Sequence, residues 1–224
     1  LTFAVGVPLF VVLVYLLPHL HHLAFNALVT FAAVMGGLEL AALLRPKGLE
    51  AWAPWLGALL PVCAYLEVAG LLPAGSLWAA LTVLIVIVLL RSVCVLRAEE
   101  LQPMLARLSA SLLALVYPGL FLAFLVRISG LTRPTLALGF FFCLVFLNDL
   151  LAYTAGMLAR GWSRLNWPVS PKKSAIGFAC GLAAGVGTAA AGRALFPSFL
   201  PVGYPLVLAF GAVIGALVIL GDLV

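Results

Sequence analysis

Apolar residues run along this chain in long blocks, and polar residues gather between them. A membrane span needs about 20 mostly apolar residues. Eight blocks meet that length: 1–17, 22–44, 52–72, 76–96, 108–126, 135–158, 174–192 and 203–224. Pro18, Pro46, Pro73, Pro103, Pro134, Pro171 and Pro201 fall between blocks or at their starts, where a residue without an N–H interrupts no helical ladder. Pro118 lies inside the fifth block beside Gly119 and predicts a kink there. The blocks are apolar on every side. Strands of a membrane barrel would alternate instead. The expected fold is therefore all-α, a polytopic transmembrane helical bundle of about eight spans.

Composition agrees. Hydrophobic residues make up 66% of the 224 positions and charged residues 8%. A soluble domain of that size could not cover itself with so little polar surface. The first block lacks the basic start and small-residue cleavage site of a signal peptide. The chain does not begin with Met and stops within an apolar block, so both ends are expected to continue in a longer protein. Cys63, Cys94, Cys143 and Cys180 are scattered through apolar stretches, with no C-x-x-C pair. They read as small buried packing residues rather than disulfide or zinc ligands.

Charge sets the expected orientation. Loops 2–3, 4–5 and 6–7 hold Arg45, Lys47, Arg97, Arg107, Arg160, Arg164, Lys172 and Lys173. Loops 1–2, 3–4, 5–6 and 7–8 hold only Arg127, Arg133 and Arg193. By the positive-inside rule the first set is cytoplasmic. The basic balance then belongs to membrane topology and calls for no nucleic-acid partner. Asp149 falls in the cytoplasmic half of span six and Asp222 near the cytoplasmic end of span eight. The chain divides into N-terminal spans, residues 1–130, and a region 131–224 with a cytoplasmic loop at 159–173.

In so apolar a chain the few polar groups inside spans carry weight. An ionisable residue there costs about 3 kcal/mol on insertion scales and usually faces a polar cavity or partner. Asp149, Ala152, Tyr153 and Gly156 are spaced to share one helical face. Asp222 shares a face with Gly211 and Gly215. Two carboxylates on one side of the membrane make a candidate divalent-cation site, because magnesium binds through one or two carboxylates and substrate phosphates. Ser170-Pro171-Lys172-Lys173-Ser174 opens span seven, where backbone N–H groups and two lysines suit a phosphate. Ordinary positive-inside anchoring is the competing account of the lysine pair. Gly177, Gly181 and Gly185 form a packing stripe. Glu39, near the Arg45–Lys47 edge, is read as snorkelling or pairing, and Glu67 receives no role. His19, His21 and His22 read as an exposed polar turn in preference to a metal site, since no acid or cysteine accompanies them.

The run Asp149-x-x-Ala152-Tyr153-x-x-Gly156, then Gly161, Ser170-Pro171-Lys172-Lys173-Ser174-x-x-Gly177-Phe178 and Gly221-Asp222-Leu223 resembles the CDP-diacylglycerol synthases (phosphatidate cytidylyltransferases). Glu39-Leu40 adds a weaker match. The motifs cover roughly residues 140–224, and before that the likeness is topological. The resemblance implies a divergent, C-terminally truncated member that transfers CMP from CTP to phosphatidic acid, giving CDP-diacylglycerol and pyrophosphate in phospholipid biosynthesis. It implies Asp149, Lys173 and Asp222 as catalytic residues, and Asp222 with Asp149 as ligands of Mg2+, with a second metal ion left open. Tyr153, Ser170, Lys172 and Ser174 would bind substrate, Ser174 standing where Thr is usual. It also implies a bacterial inner membrane with the active site facing the cytoplasm, membrane lipids as surroundings, and a homodimer as an open assembly. The chain departs from the family pattern at Leu150, Leu151, Met157 and Ala175-Ile176. The signature that follows Gly-Asp-Leu in the family lies past Val224, so the chain as given is expected to be inactive. The alternatives are a CTP-dependent polyprenol or phytol kinase-like enzyme, against which Ser170-Pro171 argues, and a non-catalytic transporter or scaffold. The Asp-Gly, multi-Asp signature of CDP-alcohol phosphatidyltransferases is absent.

Overall fold

The computed structural model describes residues 2–94, 101–159 and 174–221. Helices account for most of these residues: α1 (Thr2–Val11), α2 (His19–Leu44), α3 (Leu59–Val68), α4 (Ser76–Cys94), α5 (Leu101–Ala114), α6 (Phe121–Ile128), α7 (Pro134–Leu158), α8 (Ala175–Leu195) and α9 (Tyr204–Gly221). No strand occurs among the described residues. Among the described residues six helical stretches are long and apolar enough to cross a bilayer, which makes this a membrane protein. They are His19–Lys47, Ser76–Cys94, Met104–Ile128, Pro134–Leu158, Ala175–Leu195 and Tyr204–Gly221.

The expected count of eight is therefore high by two. The first and third blocks form the shorter apolar helices Val5–Leu16 and Pro54–Val68. The third is shortened by its own residues: Ala53 takes a left-handed backbone (φ 46°) and Pro54 opens a tight 3-10 turn, Pro54–Ala58. A proline at a turn start has its φ already set, and it cannot extend a helix backwards.

The chain forms two compact units, residues 1–135 and 136–224. In the first, Pro118 sits in a π turn, Leu115–Leu120, that joins α5 to α6. The expected kink is met by local widening, which spares the proline ring its clash with the carbonyl four residues back. That residue is Ala114. A Cβ built on Gly57 would lie 2.9 Å from the Ala114 oxygen, and one built on Gly119 would lie 2.6 Å from the Gly57 oxygen. Only glycine allows the Pro54–Ala58 turn to lie this close against the widened turn. Gly37 on α2 is bare for the same reason, since a Cβ there would strike the Pro54 carbonyl.

The two ends of this unit differ in chemistry. At one end the Trp52 N–H donates to Ser111 Oγ at 2.8 Å, and the Arg91 guanidinium lies over the Trp52 ring, 5.8 Å from its centroid. At the other, Glu67 is the organising residue. Its side chain is only 7% exposed; Oε1 accepts the Leu77 N–H at 2.7 Å, and Oε2 lies 3.9 Å from Arg127 Nη2. A carboxylate at the first turn of α4 satisfies an N–H with no helical partner and complements the helix dipole. Glu67, given no role by the sequence reading, ties α3, α4 and α6 together.

The histidine turn also departs from expectation. His19 and His21 are exposed, but His22 is 1% exposed. Leu20, His21 and His22 all take left-handed backbone (φ 50°, 54° and 59°). Such residues cost about 1–2 kcal/mol each, so the surroundings must hold them. Tyr65 Oη donates to the Leu20 carbonyl at 2.9 Å, and Asn26 Nδ2 donates to the His21 carbonyl at 2.8 Å and to Ser129 Oγ at 3.0 Å. His22 Nε2 lies 3.3 Å from Thr135 Oγ1. The cysteines depart too. All four are free thiols, with Cys94 and Cys143 exposed and Cys63 and Cys180 half-buried. In a membrane protein the outer face of a span meets lipid, so an apolar setting in sequence does not imply burial in protein.

Replacing Glu67 with Ala should destabilise the protein by about 1–2 kcal/mol, through the lost cap and ion pair. Glu67→Gln, which keeps an acceptor oxygen, should lose less. Thermal unfolding of the detergent-solubilised protein measures both, and equal melting temperatures would remove the capping role.

Candidate functional site

The second unit is built from α7, α8 and α9, and its glycines determine how it packs. Along α8, a Cβ on Gly177 would lie 2.7 Å from the Ala152 carbonyl oxygen of α7. One on Gly181 would lie 2.8 Å from Asn148 Oδ1 and 3.1 Å from Ala152 Cβ. One on Gly185 would lie 2.8 Å from the Gly211 oxygen and 3.0 Å from the Gly215 Cα of α9. The expected stripe therefore lets α8 press its backbone against both neighbours. The order of these contacts makes α8 antiparallel to α7 and to α9. The C-terminal end of α7, the start of α8 and the end of α9 thus lie at one end of the unit. At the opposite end Phe140 fills the space beside Gly192 and stacks on Phe210 with centroids 6.5 Å apart. Arg193 closes that end, donating from Nε to the Val202 carbonyl at 2.9 Å and from Nη1 to the Pro197 carbonyl at 3.1 Å.

Two of the sequence motifs meet where α7 ends and α8 begins. Ser174 is the N-cap of α8: its backbone is extended (φ −113°, ψ 146°) and its Oγ accepts the Gly177 N–H at 3.0 Å. A Cβ on Gly156 would lie 3.2 Å from that same Oγ. Gly156 and Gly177 thus bring the Ala-Tyr-x-x-Gly and Ser-x-x-Gly segments into contact through a capping hydroxyl. Replacement of Ser174 by Thr would retain the cap.

Asp149 lies on α7, half-buried, about two and a half turns from the helix end. Tyr153, one turn later, is 68% exposed. The face α7 turns toward α8 is Asn148, Ala152 and Gly156, so Asp149 and Tyr153 flank the packing seam rather than lie in it. Ser170, Lys172, Lys173 and Asp222 lie outside the described residues, as does most of loop 159–173. Lys173 directly precedes the Ser174 cap in sequence, and Asp222 directly follows Gly221, the last residue of α9. Among the described residues no group of three His, Cys, Asp or Glu side chains could hold a metal ion.

The residue that sequence reasoning passed over is Asn148. It is fully buried, and its Nδ2 donates to the Gly215 carbonyl of α9 at 3.1 Å. Its Oδ1 faces Gly181 and has no hydrogen-bond partner. A single amide thus joins all three helices beside Asp149. Its signal was present, an asparagine inside a 25-residue apolar helix, but the neighbouring acid drew the chemical reading.

Gly185→Ala should lower the melting temperature, because the new methyl meets the Gly211 backbone, and overpacking of this kind costs about 1–3 kcal/mol. Gly187, two residues on, has nothing within 4 Å of a built Cβ, and Gly187→Ala should leave the melting temperature unchanged or slightly higher. Equal effects at the two sites would argue against the close α8–α9 approach.

No curated protein and no solved structure matches the chain. The model of the cytidylyltransferase family, which includes CDP-diacylglycerol synthase, matches residues 1–224. That family supports a CTP-using nucleotidyltransferase as the class of enzyme. With the match running the full length, on a helical membrane scaffold whose motifs meet at the α7–α8 junction, the chain belongs to the cytidylyltransferase family.

Proposed function

We propose that the protein transfers CMP from CTP to phosphatidic acid, forming CDP-diacylglycerol and releasing pyrophosphate. The family match supports CTP as a substrate. The lipid acceptor rests on the motif resemblance and on the setting, a membrane-embedded helical unit. The observation that carries the reading is the start of α8. Lys172 and Lys173 immediately precede a capped 21-residue helix, whose positive dipole end favours an anion.

In the proposed reaction a lipid phosphate oxygen attacks the α-phosphorus of CTP, and the bond to the β-phosphate oxygen breaks. Two anions must approach, and charge grows on the leaving pyrophosphate. Positioning and neutralisation therefore supply most of the rate. Lys172 and Lys173 offset phosphate charge, Ser170 and Tyr153 contact substrate, and Ser174 holds the helix start in place. Asp149 and Asp222 would hold Mg2+, for which carboxylate oxygens are suitable hard ligands. Magnesium would supply charge neutralisation on the phosphates. The region 131–224 would carry the catalytic groups and open to the cytoplasm, where CTP is found, in a bacterial inner membrane.

Asp222→Asn and Lys173→Ala in the full-length protein should each lower CDP-lipid formation about 100-fold or more, the scale of lost charge stabilisation in a transferring site. Incubation with α-labelled and γ-labelled CTP reads the outcome directly. Label reaching lipid from the α-position supports cytidylyl transfer. Label from the γ-position would make the protein a kinase and overturn the proposal, and full turnover in both variants would remove these residues from the site.

A further inference from the structure

At the C-terminal end of α2 an open pocket of about 430 Å3 is lined by Leu38, Ala41, Ala42, Arg45, Glu50 and Ala51. Its volume falls within the range of small-ligand sites. Its two charged lining residues are opposite in sign. Both Arg45 and Glu50 are exposed, and neither makes an ion pair or hydrogen bond through its side chain among the described residues. They flank the same space without neutralising each other. The remaining wall is apolar, and Leu38, Ala41 and Ala42 belong to a membrane span: Leu38 is 43% exposed and Leu43, five residues on, is 71% exposed. Exposed Trp52 and Trp55 follow within a few residues, and Arg91 lies over the Trp52 ring. Tryptophan and arginine at the end of a span mark the headgroup level of a bilayer.

A simple anion would gain from Arg45 and be repelled by Glu50, and a simple cation the reverse. A ligand with both charges a few ångströms apart, attached to an apolar tail, satisfies all three walls. We propose that this pocket seats the headgroup of a zwitterionic aminophospholipid, with Arg45 on the phosphate, Glu50 on the ammonium and the acyl chains along the Leu38–Ala42 side of α2. Guanidinium–phosphate and carboxylate–ammonium contacts are both charge-assisted hydrogen bonds. The proposal does not rest on the proposed reaction, since it is drawn from the lining residues of this pocket alone.

The test uses the full chain in detergent, incubated with equal amounts of phosphatidylethanolamine and phosphatidylglycerol of the same acyl length. Retained lipid is read by native mass spectrometry. The wild type should retain phosphatidylethanolamine about threefold over phosphatidylglycerol, the size of effect an exposed ion pair supplies. Glu50→Gln should remove that preference while keeping phosphate binding, and Arg45→Gln should weaken retention of both lipids. Ala42→Phe, which narrows the pocket without touching its charges, should lower phosphatidylethanolamine retention alongside an unchanged melting temperature. Equal retention of the two lipids by the wild type, or ratios unmoved by both charge variants, would overturn the proposal. Free phosphoethanolamine should fail to displace the lipid; displacement at matching concentration would make this a site for a soluble zwitterion and overturn the lipid assignment.

Discussion

The bare backbone of α8 is the constraint on which the candidate site depends. Gly177, Gly181 and Gly185 let this helix lie against the carbonyls of α7 on one side and of α9 on the other. In lipid there is little hydrophobic drive to bring helices together, so close packing and interhelical hydrogen bonds must do it. The Asn148 amide supplies the hydrogen bond, and its partner is a backbone carbonyl that two glycines make reachable. Asp149 is carried by the residue next to that anchor. A shift of α8 by the width of one methyl would move the acid, the Ser174 cap and the end of α9 relative to one another.

The first unit uses a different device for the same problem. It places defects in register: a π turn around Pro118, a 3-10 turn at Pro54–Ala58, and glycines at the points where the two meet. Non-helical backbone is tolerated at membrane depth when protein covers it. Gly57 and Gly119 are both buried, as that requires. Glu67 works similarly at the end of α3, bringing a carboxylate out of lipid to cap a helix and meet Arg127. Both units thus resolve polar backbone groups with a few residues whose identity is strict, while the lipid-facing majority is interchangeable.

Much of this was legible because span length and proline position are one-dimensional signals. The six long helices, the disturbance at Pro118 and the glycine stripe follow from runs and spacings alone. What could not be read depends on distant partners. The first and third blocks have enough apolar residues to span, yet Pro54 and the left-handed Ala53 stop the third short, and a hydropathy window does not register a backbone angle. His22 is buried beside Thr135, which lies 113 positions away. The cysteines read as buried since apolar neighbours in sequence were equated with protein neighbours in space, when a span meets lipid on its other face. At the candidate site, the contact of the two motif segments through Gly156, Ser174 and Gly177 agrees with their joint appearance in the sequence. Lys172, Lys173 and Asp222 enter only as the residues flanking α8 and α9.

The left-handed turn at Leu20–His22 has a consequence for how the chain is made. Its restraints come from Asn26 close by and from Tyr65 and Thr135, which are synthesised 45 and 113 residues after the residues they hold. Spans enter the bilayer in the order they leave the ribosome. The opening helices must therefore sit in the membrane with this bend only partly secured until α3 and then the start of α7 arrive. Assembly of residues 1–135 is then finished from its far end backwards, with the last inserted segment locking the first.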